Sequence, residues 1–405
     1  MATGTKPFPP MHPVAGFKLG TTSAGIKTVG RKDLVVMALA PDSTVAAVFT
    51  QNAFCAAPVL VSRQHLSTHP PRYLLINTGN ANAGTGEQGL LDAQRSCDTL
   101  AELQGVSAQQ VLPFSTGVIG EPMPMQTLLT ALPAAVEALD ENAWVDAAEG
   151  ILTTDTRAKG ASLQYRPNAA SAELITITGI SKGSGMIKPN MATMLGFVAT
   201  DAEIDAELLH HALQRVVNKS FNRITVDSDT STNDSLVLVA TGASGITIDE
   251  CNFEQFVTQL EQVFIELAQA IIRDGEGATK FVTVEVDGAL DSAEALKVAY
   301  TVAESPLVKT ALAASDANWG RILAAVGRAG VENLDVSRVS VSLNQVLIVE
   351  AGGRAASYTE AAGEQAMAAE DISIHISLNR GTVEETVWTT DLTYEYVRIN
   401  AEYRT

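Results

Sequence analysis

Residues 181–197 read Ser-Lys-Gly-Ser-Gly-Met-Ile-Lys-Pro-Asn-Met-Ala-Thr-Met-Leu-Gly-Phe. Gly183 and Gly185 allow backbone conformations that other residues avoid, and Pro189 fixes a bend while biasing Lys188 toward an extended shape. The chain is therefore expected to turn here. It then enters Met191-Ala-Thr-Met-Leu195, apolar except for one hydroxyl, which reads as the start of a buried strand. Residues 174–179, ahead of the turn, also read as a strand. On these residues alone the stretch is a glycine-rich loop entering a buried strand, with Thr193 an ordinary β-former. Two buried strands joined this way need a substantial core. The composition allows one: 46% of residues are hydrophobic and 18% charged, but only 5% aromatic, so the core is built from small aliphatic side chains.

The remaining pattern mixes strands and helices. Residues 33–40, 43–50 and 73–77 read as short strands bounded by turn formers. Residues 90–103, 126–139, 146–152, 207–217 and 252–274 carry apolar residues at helical spacing. Strand patterns return at 235–239, 281–286, 338–349 and 372–377, with helices between. No strict β-α-β alternation is visible, which points to an α/β body with mixed or antiparallel sheets. A chain of 405 residues suits two domains or one large layered body.

Charge is uneven. Residues 1–192 hold 13 Lys/Arg against 14 Asp/Glu, a net −1, while residues 193–405 hold 14 against 32, a net −18. The total of −19 argues against nucleic-acid and anionic-membrane partners. Three scattered cysteines and no Cys-x-x-Cys pair disfavour a disulfide scaffold or structural zinc and fit a reducing cytoplasm. No signal-peptide order or membrane-length apolar run is evident.

Several motifs resemble chemistry only superficially. Gly84-Thr-Gly86-Glu-Gln-Gly89 has dinucleotide-binding spacing, but it starts seven residues after the strand read at 73–77, too far for a tight strand-to-helix turn. Asp227-Ser-Asp-Thr-Ser resembles a calcium loop, yet Thr232 and Leu238 stand where Gly and Glu are needed. The polar run 225–235 is either a hydrogen-bonded turn or a polar wall near a site. His210 and His211 are adjacent on a helix and face different ways, so a metal site is not expected. There is no nucleophile elbow and no phosphate loop.

Lys182-Gly-Ser-Gly-Met-Ile-Lys-Pro-Asn-Met-Ala-Thr-Met-Leu strongly resembles the self-cleavage segment of the ornithine acetyltransferase family, the bifunctional glutamate N-acetyltransferases of arginine biosynthesis. Further matching blocks follow the family's order. They are Asn77-Thr-Gly-Asn-Ala-Asn-Ala-Gly, Ser115-Thr-Gly-Val-Ile-Gly, Thr153-Thr-Asp-Thr-Arg, Asp227-Ser-Asp-Thr-Ser-Thr-Asn-Asp, Arg273-Asp-Gly-Glu-Gly-Ala-Thr-Lys, Ser315-Asp-Ala-Asn-Trp-Gly-Arg and Tyr396-Val-Arg-Ile-Asn-Ala-Glu-Tyr-Arg-Thr. Ser184 and Lys188 depart from the smaller or neutral residues common in the family.

The resemblance implies a layered α/β/β/α fold with mixed and antiparallel sheets. It implies cleavage between Ala192 and Thr193, giving an alpha subunit of residues 1–192 and a beta subunit of residues 193–405. Thr193 would then carry a free α-amine of pKa about 8, able to act as general base for its own hydroxyl. The implied reaction is ping-pong acetyl transfer from N-acetylornithine to glutamate through an acetyl-Thr193 ester. Thr116 and Gly117 would stabilise the oxyanion. Lys182 would hold the α-carboxylate and Glu276 the ornithine ammonium, with Thr153, Asn400 and Thr405 also at the substrate. The resemblance does not separate Thr153 from Thr154. No metal or cofactor is required, and it leaves open whether acetyl-CoA is a second donor. It also implies a cytoplasmic heterotetramer of two alpha and two beta subunits. The alternatives are a self-cleaving aminopeptidase of the related family, which would pass the acyl group to water, and an uncleaved amino-acid-binding protein.

Overall fold

The computed structural model describes residues 3–4, 6–167, 173–188 and 194–402. The chain divides into two compact units. The larger comprises Pro7–Asn222 and Asp229–Ile271; the smaller comprises Met1–Lys6, Arg223–Ser228 and Ile272–Thr405. The expected alpha and beta subunits follow a different division of the chain, at residues 192 and 193.

The larger unit has two sheets. In the first, Phe17–Thr22, Leu34–Leu39, Tyr73–Asn80 and Val111–Val118 lie side by side in that order. In the second the order is Thr44–Phe49, Ser235–Ala240, Leu195–Thr200, Ile175–Lys182 and Lys159–Tyr165. Side chains alternate between strand faces, so each strand serves two environments. Val35 and Met37 point into a core shared with Ile180, Phe197, Val237 and Val239 of the second sheet. Leu34 and Val36 point the other way, onto a core with Cys97 and Leu100 of helix Gly86–Gln104 and Leu128 and Leu132 of helix Met125–Glu137. Helix Ala206–Lys219 packs on strand Thr44–Phe49, and Leu267 of helix Phe253–Arg273 closes on Gly179, so helices cover the second sheet too. The unit is thus layered helix, sheet, sheet, helix, as the resemblance implies. Helix Trp144–Gly150 adds Trp144 to the central core, stacked on Phe17 at 5.4 Å.

The smaller unit has one mixed sheet of six strands, ordered Gly353–Arg354, Val346–Glu350, Ser340–Leu343, Asp371–Ser377, Phe281–Ala289 and Val383–Thr390. Its core joins Val282, Val284, Val286, Ile374 and Ile376 to Val298 and Val302 of helix Ser292–Ala303. No helix among the described residues is long and apolar enough to cross a membrane.

Three expectations change. Residues 338–349 form a hairpin rather than one strand, turning at Asn344, which takes the left-handed backbone (φ 50°) that asparagine tolerates. Two β-α-β units do exist: Tyr73–Asn80 and Val111–Val118 are parallel and joined by helix Gly86–Gln104, and Leu195–Thr200 and Ser235–Ala240 are parallel with helix Ala206–Lys219 between them. The first of these strands pairs as far as Asn80, so Gly84 follows it more closely than the sequence suggests. Gly89 serves packing, because a Cβ there would lie 1.9 Å from Thr85 Oγ1. Strand Phe17–Thr22 was not anticipated, since Lys18 and Gly20 interrupt its apolar pattern.

Candidate active site

Four strand ends converge on one cavity of the two-sheet sandwich. Strand Val111–Val118 brings Thr116 and Gly117 near its end, and strand Ile175–Lys182 finishes at Lys182. Met194 stands just before Leu195–Thr200, and Asp234 just before Ser235–Ala240. Thr116, Lys182, Gly183, Met194, Asn233 and Asp234 line one cavity, along with Ser231. The polar run 225–235 is therefore, over its last residues, a wall of that cavity. Asn233 fixes the wall by donating from Nδ2 to the carbonyls of Ala81 (2.6 Å) and Ser115 (2.9 Å).

Lys182 reaches into the cavity from a largely buried position, with Nζ donating to Thr116 Oγ1 at 3.4 Å. Its cation has a counter-charge, Asp155 Oδ2, at 3.9 Å. The Asp155 side chain has no exposed surface. Its Oδ1 accepts from Lys159 Nζ at 2.6 Å and from the Gly183 backbone N–H at 2.7 Å. Its Oδ2 accepts from the Thr153 N–H at 3.0 Å. Burial alone would push this carboxyl up, but Lys159, Lys182 and the hydrogen bonds hold it well below the usual carboxylate range. Asp234 shows the opposite balance. Burial pushes it well above that range, and the hydrogen bonds from Ser231 and the charge of Lys182 only partly compensate.

Gly117 requires glycine. Its φ is +137°, and a Cβ there would lie 2.3 Å from the Gly79 carbonyl carbon on the neighbouring strand, where the ladder register shifts. Gly183 has a φ of +150°, and Met186 adopts a left-handed φ of 54°, a costly conformation for a side chain of that size. The loop leading toward the proposed cleavage point is therefore conformationally constrained.

Of the expected site residues, Thr116 and Lys182 share the cavity, Gly117 adjoins Thr116, and Thr153 is tied to the same cluster through Asp155. The Thr153 carbonyl also accepts from Arg31 Nη2 at 3.0 Å, while the Thr154 hydroxyl meets that of Ser184 at 2.7 Å. In the smaller unit Asn400 Nδ2 donates to Glu276 Oε2 at 2.8 Å. The helix Tyr394–Ala401 folds back onto the turn that carries Glu276; a Cβ on Gly277 would lie 2.5 Å from the Tyr396 nitrogen. Ala192, Thr193 and Thr405 lie outside the described residues.

Asp155, Asn233 and Asp234 were not singled out from the sequence. Asp155 sits in the Thr153-Thr-Asp-Thr-Arg block and the other two in the polar run, so the blocks were visible but the roles were not. Among the described residues no group of three or more His, Cys, Asp or Glu side chains could hold a metal. His211 instead stacks on Phe253 at 5.3 Å.

The model of the ArgJ family matches residues 18–405. The chain is 59% identical to the arginine biosynthesis bifunctional protein ArgJ of Pseudomonas fluorescens (strain Pf0-1), with 100% of both chains covered. It is 57% identical to the protein of that name from Pseudomonas syringae pv. tomato, again over 100% of both. Among solved structures, the arginine biosynthesis bifunctional protein argJ of Bacillus halodurans is 41% identical over 52% of this chain and 99% of that one, with a TM-score of 0.49.

Proposed function

Since the chain belongs to the ArgJ family, we propose that it is a self-processing acetyltransferase of arginine biosynthesis, moving the acetyl group of N-acetylornithine to glutamate through Thr193. The observation that carries this reading is the cavity where Thr116, Lys182 and Met194 meet, because Met194 is covalently next to Thr193.

Cleavage of the Ala192–Thr193 bond leaves Thr193 with an α-amine and a hydroxyl on one residue. The amine removes the hydroxyl proton as Oγ attacks the acetyl carbonyl. A tetrahedral oxyanion forms, and donors at Thr116 and Gly117 stabilise it. The acetyl C–N bond breaks, the ammonium returns its proton to the departing ornithine nitrogen, and the acetyl group stays as an ester on Thr193. Glutamate then reverses the sequence, its α-amine attacking the ester. Both substrates present an α-carboxylate, and Lys182 supplies the cation for it. Asp155, held well below the usual carboxylate range, places its negative charge 3.9 Å from that cation. Glu276 and Asn400 bind the side-chain ammonium of ornithine. Thr153 and Thr405 complete the substrate contacts.

The reading includes acetyl-CoA as a second donor, supported by the bifunctional names of the relatives. It needs no metal or other cofactor. It also includes a cytoplasmic assembly of two copies each of residues 1–192 and 193–405. The test is incubation with N-[14C]acetylornithine, with and without glutamate. Labelled N-acetylglutamate, plus a labelled enzyme ester when glutamate is omitted, is the expected result. Labelled free acetate at the same rate with or without glutamate would favour the aminopeptidase-like alternative and overturn the reading.

A further inference from the structure

Strand Val111–Val118 lies at the edge of the first sheet, so one side of its backbone has no strand to pair with. Val118 faces the neighbouring strand, because its carbonyl accepts from the Ala81 N–H at 2.9 Å. Backbone groups of successive residues in a strand point to opposite sides, so residues 111, 113, 115 and 117 face away from that neighbour. Open edge groups need partners from elsewhere. Here side chains supply them in series. The Val111 carbonyl accepts from the buried His65 Nδ1 at 2.8 Å, the Pro113 carbonyl from the buried Ser62 Oγ at 2.6 Å, and the Ser115 carbonyl from Asn233 Nδ2 at 2.9 Å. The next outward group is the Gly117 N–H, adjoining Thr116 at the cavity.

Asn233 differs from the other two caps. It stands just before strand Ser235–Ala240 of the second sheet, so its bonds tie one sheet to the other. Both protons of its amide are committed, since Nδ2 also donates to the Ala81 carbonyl at 2.6 Å. Ala81 follows strand Tyr73–Asn80, so a single amide grips two adjacent strands where their ladder shifts register at Gly79 and Asn80. The Asn233 Oδ1 accepts from Thr232 Oγ1 at 2.5 Å, which fixes the end of the amide that donates. Gly117 has no side chain to lock its φ of +137°, so its neighbours must hold it.

We propose that Asn233 is a positioning residue of the oxyanion site: its clamp on Ser115 and Ala81 sets the Thr116–Gly117 segment so that the Gly117 N–H and the Thr116 hydroxyl are aimed together into the cavity. The inference rests on the function proposed above, in which these two residues stabilise the charge that gathers on the acetyl oxygen. Asn233 touches no reacting atom. It acts through the Ser115 carbonyl, whose carbon is bonded to the Thr116 nitrogen. The Thr116 hydroxyl accepts from Lys182 Nζ at 3.4 Å and keeps its own proton to donate. Donors fixed in advance stabilise an oxyanion without reorganising as the charge develops. Releasing the clamp removes that advantage from the transition state, while the cation that Lys182 offers to the substrate α-carboxylate is untouched.

The test compares wild type with N233D, T232V and T232S, each first checked for cleavage by mass and for folding by thermal unfolding. N233D keeps the side-chain shape and removes the amide donors; T232V removes only the hydroxyl that orients the amide, and T232S keeps it. Each is assayed with N-acetylornithine and with N-thioacetylornithine, in which sulfur replaces the acetyl oxygen. Sulfur accepts hydrogen bonds weakly, so a well-aimed oxyanion site favours the oxygen substrate. For N233D, kcat with N-acetylornithine is expected to fall about 10–100-fold and the oxygen-to-sulfur rate ratio about tenfold, while the Kd for ornithine from calorimetric titration changes less than about threefold. T232V is expected to shift the ratio in the same direction by a smaller factor, and T232S to restore it. A cleaved, folded N233D with an unchanged ratio would overturn the inference even if kcat fell, because a displaced nucleophile slows both substrates alike. Should N233D fail to fold or to cleave, T232V decides: a reduced ratio that T232S restores supports the clamp, and an unmoved ratio contradicts it. A wild type that transfers no acetyl would sink the functional reading itself, whereas an unmoved ratio in an active enzyme sinks only this inference.

Discussion

In the larger unit the charged groups at and behind the cavity are buried, and Asp155 is held by several partners. Asp155 has no exposed side-chain surface and binds Lys159, Gly183 and Thr153 while facing Lys182. In the smaller unit the expected ornithine-side residues form a looser pair: Glu276 is half-buried, Asn400 is exposed, and one 2.8 Å hydrogen bond joins them. The difference teaches where function and stability are coupled. A buried charge that loses its partner destabilises the fold, whereas an exposed pair contributes about 1 kcal/mol or less. Substituting Asp155 should therefore damage folding and catalysis together, while substitutions at the pair should touch substrate binding alone.

The largest effect is expected for Asp155→Asn, which leaves Lys159 and Lys182 without their shared carboxylate. Breaking a buried pair from one side costs about 3–5 kcal/mol, and urea unfolding would measure it. The pH dependence follows from the sign of the shift. Asp155 lies below its unfolded value, so its contribution is present above the usual carboxylate range and fades as pH falls through and below it. D155N should lack that acid-side loss, and a parallel acid limb in wild type and variant would break the comparison. Next in size is Lys182→Met. Asp155 keeps Lys159, so stability should change little. Removing the cation from the α-carboxylate should lower kcat/KM for N-acetylornithine by about 10²-fold, equivalent to ~2.7 kcal/mol. A smaller loss than that of E276Q would invert the ranking of the two regions. The smallest effect is expected for Glu276→Gln: about a tenfold rise in KM for N-acetylornithine, an unchanged melting temperature, and little effect on the glutamate half-reaction.

The same contrast governs what could be read from the chain. Strands at 33–40, 43–50 and 235–239 were legible because buried β-branched runs end at turn formers, and the structure has Leu34–Leu39, Thr44–Phe49 and Ser235–Ala240 there. The helix at 252–274 was legible from its apolar period, and the structure has Phe253–Arg273. The hairpin at Asn344 was not, because both its arms carry the same strand pattern and only one residue changes backbone region. Lys182 and Thr116 stood out through a segment whose glycines and proline are visible in one dimension. Asp155 and Asp234 did not, since an acid in a polar run looks solvated until its burial is known. Their opposite pKa directions arise from three-dimensional neighbours, two lysines for one and Ser231 with a more distant lysine for the other. No local sequence signal encodes that difference.

The central claim is that Thr193 becomes the start of a new chain. Denaturing intact-mass measurement of the purified protein, with amino-terminal sequencing, tests it most directly. The account predicts two polypeptides of 192 and 213 residues, the second beginning Thr193-Met194-Leu195, in place of a single 42.6 kDa species. A chain that transfers acetyl groups while remaining whole would contradict it, because no α-amine would then exist to act as the base.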